Sequence, residues 1–108
     1  MSLKNNLPDL ENPFFDKNFF MVYLSLIPHM VNRGLFTTKA VEEVWAEVYQ
    51  GDFYGLLQHL KIDKQYHRFV LSFNELKSPL DYTKDRLSIK IPNLEYIGRM
   101  MNIYRTSS

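Results

Sequence analysis

The residues best able to do chemistry in this chain gather between Gln58 and Arg68. Gln58, His59, Lys61, Lys64, Gln65, His67 and Arg68 form a basic, polar run. Lys61, Lys64 and Arg68 can neutralise phosphates, which supplies sequence-independent affinity for nucleic acid. Gln58 and His59 would lie nearest the bases, and Gln58 can hydrogen-bond a base edge. Lys84, Arg86 and Lys90 complete the set of candidate phosphate contacts. The same run also reads as a solvated helix end in which Lys61 complements the helix dipole. Asp52, Tyr54 and Gly55 stand at the front of that helix, where a groove-reading helix presents its contacts, and they suit DNA poorly.

Other reactive groups point away from catalysis. Glu42, Glu43 and Glu47 could do acid–base work if burial shifted one of them. They fall opposite an apolar stripe, where water screens them. His29, His59 and His67 show no metal-ligand spacing. Ser25 and Ser72 have no neighbouring base, and no phosphate-binding or dinucleotide-binding glycine pattern occurs. Cysteine is absent, which removes disulfides and thiolate chemistry. The expectation is a non-enzymatic protein with no cofactor and no metal.

Two further features suit a protein partner. Residues 74–86 form a connection far longer than the usual two to five of a hairpin, with mixed charge and Tyr82 at its tip. Met100, Met101 and Tyr104 lie on the last predicted helix, and adaptable methionines suit a partner surface. Tyr82, Met100, Met101 and Tyr104 are therefore the candidate interface residues. A homodimer through the first or last helix is a related expectation.

The elements that must position these residues follow from composition and periodicity. The chain has 108 residues, 45% hydrophobic and 15% aromatic, enough for one folded domain and too apolar for disorder. Residues 1–13 are mostly polar, carry Pro8 and Pro13, and read as an extended arm; residues 14–108 make the single domain. The apolar run 19–27 is too short to span a bilayer, and no signal-peptide core precedes it. A soluble, cytoplasmic protein with no membrane partner is expected. Residues 1–60 hold four Lys/Arg against seven Asp/Glu, and residues 61–108 nine against five. That asymmetry hints at a basic face on the C-terminal half.

Asp16 caps a first helix, apolar on nearly every side and so central to the core or buried in a dimer. Pro28 kinks it or starts a second one, and Arg33 with Gly34 ends it. Thr37 or Thr38 caps the next helix, whose core stripe is Ala40, Val41, Val44, Trp45, Val48 and Tyr49. Gly51 stops it. Asp52 caps a third helix with Phe53, Leu56, Leu57 and Leu60 inward. Residues 67–73 and 87–91 alternate apolar and polar, as the two strands of a hairpin. Asn93 caps a last helix with Leu94, Ile97, Met101 and Tyr104 on one stripe.

The fold class is thus α+β: three N-terminal helices, a two-stranded antiparallel hairpin and a C-terminal helix. This order resembles a winged-helix domain, with Leu35 and Phe36 as the short strand between its first two helices. The resemblance covers element order only and rests on no motif. It implies a third helix that reads DNA, residues 74–86 as the wing, and a small transcriptional regulator. The alternative is a protein-interaction module, an inhibitor or adaptor, using the aromatic and methionine surface and residues 74–86. Mixed charge in that connection fits a protein better than a phosphate backbone.

Overall fold

Helix α4 (His67–Phe73) is the element around which the described residues, 12–107 of the computed structural model, are packed. Phe69 and Phe73 enter one core cluster, with Phe19, Tyr23, Met30, Ile97 and Met101. Val70 and Leu71 enter a second, with Phe53, Leu56, Leu57, Tyr82 and Ile89. The expected strand at 67–73 is therefore corrected to a helix. Alternation fails at Val70, which is as buried as Phe69 and Leu71. A short run buried on several sides suits a central helix that feeds two cores, and period alone does not separate it from a strand.

The α+β class stands, with a two-stranded antiparallel sheet and a C-terminal helix; the strand expected at 87–91 is present at Ser88–Pro92, but its partner is Phe36–Ala40 and not residues 67–73. The chain runs α1 (Lys17–Asn32), β1 (Phe36–Ala40), α2 (Glu43–Val48), α3 (Phe53–His59), α4, β2 (Ser88–Pro92) and α5 (Leu94–Ser107). Short 3-10 turns occupy Pro13–Phe15, Lys64–Tyr66 and Pro79–Asp81. Strand β2 pairs with β1, from Phe36 opposite Pro92 to Ala40 opposite Ser88. Thr37 and Thr38 thus lie in a strand and do not cap a helix, in keeping with their β-branched side chains. A strand does lie between the first two helices, at Phe36–Ala40, where Leu35 and Phe36 were expected to supply one. Residues 74–86, however, join α4 to β2 and are not flanked by paired strands.

Several local signals act as expected. Asp16 accepts from the N–H groups of Asn18 and Phe19 and starts α1. Pro28 sits within that single helix, which continues to Asn32. Gly34, at φ 65°, closes it: the Leu35 N–H reaches the Met30 carbonyl and the Gly34 N–H the Val31 carbonyl, the Schellman pattern. Asp52 caps α3 by accepting from the Gly55 N–H. The Asn93 side chain accepts from Tyr96 N–H at the start of α5. Of the arm expected at 1–13, only Asn12 and Pro13 fall among the described residues. Asn12 caps the first 3-10 turn and donates to Gln65.

Helix α1 is not buried all round. Phe19, Tyr23 and Met30 face the core, while Met21, Val22 and Val31 are exposed. No helix among the described residues is long and apolar enough to cross a membrane.

Candidate binding surface around the third helix

Helix α3 buries Phe53, Leu56 and Leu57. Helical spacing then turns Tyr54, Gln58, Gly55 and His59 outward as one arc. The two flanks of this arc differ. On one side lies a cleft of about 630 Å³ between α3 and the start of α4, lined by Tyr54, Gln58, Lys61 and Lys64 together with Asp52, Asp63 and His67. On the other, His59 packs at a tilt against the Trp45 ring of α2, 4.2 Å between centroids, with Tyr49 5.6 Å from His59.

The cleft mixes charges. Lys61 holds φ 64°. It occupies the position after the helix end where glycine is usual, since the Ile62 N–H reaches the Leu57 carbonyl and the Lys61 N–H the Gln58 carbonyl. His67 is buried, and its Nε2 lies 2.8 Å from the Ile62 carbonyl. A carbonyl only accepts, so Nε2 carries the proton. The Tyr54 ring lies 5.4 Å from His67. Burial pushes the Tyr54 phenol up, and the Arg68 guanidinium partly offsets this.

The α2 side presents apolar surface. Val44 and Val48 were expected in the core stripe, yet they are 55% and 59% exposed. Only Ala46 of this six-residue helix is buried. The reason is rotational. With Ala46 buried in the same core cluster as Phe53 and Leu56, Val44 and Val48 fall on the far side of a helix that turns 100° per residue. Trp45 and Tyr49 lie between, half-buried. The result is a contiguous run from two exposed valines to a Trp–Tyr–His cluster.

The sequence-predicted nucleic-acid residues do not converge. Gln58, Lys61 and Lys64 share the cleft. His59 belongs to the aromatic cluster. Arg68 is half-buried: its guanidinium lies 4.0 Å over the Phe20 ring and donates to the Asp16 carbonyl, while its Nε is buried without a partner. Burial lowers the pKa of that group, against the pull of Tyr54 and Asp16. Lys84 lines a separate hollow with Glu43, Glu47 and Asp85. Arg86 donates to the Asn74 carbonyl and, with Lys90 and Glu75, lines another. The Lys90 ammonium sits 5.4 Å from the Phe36 ring.

Two of the expected interface residues lie inside the domain. Tyr82 is fully buried against Phe53 and donates its O–H to the Arg86 carbonyl. It anchors residues 74–86 by packing back on the domain and so is not the interface residue expected. Met101 is a core residue of α5, and Met100 and Tyr104 pack half-buried around the same cluster. Among the described residues no group of three or more His, Asp or Glu side chains could hold a metal ion. No protein-family model, curated protein or solved structure matches the chain.

Proposed function

We propose that this chain is a protein-binding module whose docking face is α2 together with the Trp45–Tyr49–His59 cluster. One observation carries the reading: Val44 and Val48 are more than half exposed beside a half-buried tryptophan. Exposed apolar surface rimmed by polar residues marks interaction sites. Tryptophan and tyrosine are the residues that most often dominate binding energy at such faces. The mixed charge of the neighbouring cleft also favours a protein partner, because complementarity to a protein needs both signs.

A nucleic-acid function is the second reading, favoured by Gln58, Lys61 and Lys64 on one cleft. Against it stand the two aspartates of that cleft and the dispersal of the other cations. One comparison separates the two. A single stoichiometric partner recovered from the host should be lost with Val48→Asp and retained with Lys61→Glu plus Lys64→Glu. Duplex binding that falls steeply with salt, and is lost only with the lysine reversals, would establish the second reading in place of the first.

A further inference from the structure

The α2 face carries a sign as well as a shape. Around this helix the side chains follow in pairs four residues apart: exposed Glu43 and Glu47, then exposed Val44 and Val48, then half-buried Trp45 and Tyr49. Glu43 and Glu47 also line a hollow of about 320 Å³ with Asp85, Lys84 and Leu87. Three carboxylates face one ammonium there. Leu87 is 40% exposed, so apolar surface reaches into the acidic side. Apolar strip and negative rim therefore run side by side along one helix.

We infer that the occupant of this face is a basic amphipathic segment of a partner protein. The inference rests on the protein-binding reading above. Apolar side chains of the segment cover Val44, Val48 and the exposed edge of Trp45. Its Lys or Arg side chains enter the hollow beside Glu43, Glu47 and Asp85. An acidic segment would meet a net negative charge on the Glu43–Glu47 side, which disfavours it without any change in apolar contact.

Trp45 is the only tryptophan of the chain, so its emission reports on this face alone. The probes are two synthetic peptides of one amphipathic helical pattern, with leucines on one face and either lysines or glutamates on the other. At low ionic strength the lysine peptide should shift the Trp45 emission and bind about tenfold more tightly than the glutamate peptide, roughly what two or three exposed charge pairs supply. Glu43→Lys with Glu47→Lys should reverse the preference. Val48→Asp should weaken both peptides. All three positions are exposed, and circular dichroism confirms that the variants keep the fold. Equal affinity for the two peptides would overturn the basic assignment and leave the docking face standing. If neither peptide moves the Trp45 emission, the docking face itself is wrong. Sedimentation of the protein alone as a dimer, with Trp45 shielded from a soluble quencher and both peptides excluded, would make a second copy the occupant and overturn the inference.

Discussion

The side-chain amide of Asn74 pairs with the backbone of Lys90. Its Nδ2 donates to the Lys90 carbonyl at 2.8 Å, and its Oδ1 accepts from the Lys90 N–H at 2.8 Å. Across the sheet, Val41 bonds Leu87 and Asn93 bonds Leu35. Alternation then turns the Lys90 groups away from β1, and Asn74 takes the place of a third strand. The same Nδ2 donates to the Val70 carbonyl, which ties α4 to β2. Asn74→Ala should therefore cost about 2–3 kcal/mol, because it leaves several polar groups without partners. Asn74→Asp should cost at least as much, since a carboxylate cannot donate to the Lys90 and Val70 carbonyls. Urea unfolding with an unchanged m-value checks both.

Tyr23 is buried and donates its O–H to the Phe69 carbonyl at 2.8 Å. Burial pushes its phenol well above the ordinary tyrosine range. Tyr82 and Tyr54 shift the same way, also through burial. The folded protein thus holds these protons when the unfolded chain, with tyrosines near pKa about 10, releases them. Stability should be complete below about pH 10 and fall above it, by about 1.4 kcal/mol per pH unit for Tyr23 alone. Tyr23→Phe should cost about 1 kcal/mol at neutral pH and make the alkaline fall shallower. A denaturation midpoint that stays level beyond about pH 11 would count against this.

The parts of the fold that were legible in the sequence are those where local chemistry decides. Asp16, Asp52 and Asn93 cap helices because a short side-chain acceptor meets unpaired N–H groups, whatever the tertiary context. The misplaced strand has the opposite character. Nothing local in residues 67–73 announces a helix wedged between two cores, since the partners, Tyr23 and Tyr82 among them, come from distant segments. The candidate face was hidden for a related reason. Val44 and Val48 share the helical period of core residues, and only the docking of Ala46 decides which way α2 is turned. Gln58, Lys61 and Lys64 were legible as a group because they flank one helix end, whereas Arg68 looked equally available until Phe20 covered it.

Lys61 and Glu75 both adopt left-handed backbone conformations, at φ 64° and 61°. Each closes a Schellman pattern, Glu75 through the bonds of Leu76 to Leu71 and Glu75 to Ser72. A side chain costs about 1 kcal/mol or more in that region. Glycine relieves this but gains entropy in the unfolded chain. Lys61→Gly and Glu75→Gly should therefore each stabilise by about 0.5 kcal/mol. A loss of 1 kcal/mol or more on thermal or urea unfolding, about twice the expected gain with the opposite sign, would mean that the side chain makes contacts worth more than the strain.

Val48 and Val70 are the same residue type on two short helices, one 59% exposed and the other fully buried. If α2 is turned as described, their substitutions must differ sharply. Val70→Ala removes methyl groups from a packed core and should cost about 2 kcal/mol. Val48→Ala, and even Val48→Asp, should stay within about 0.5 kcal/mol, as surface positions do. The comparison also guards the binding experiments. Loss of a partner in Val48→Asp is interpretable only because the substitution leaves folding alone. A cost for Val48→Asp comparable to that of Val70→Ala would return Val48 to the core and remove the apolar face from which the binding reading is built.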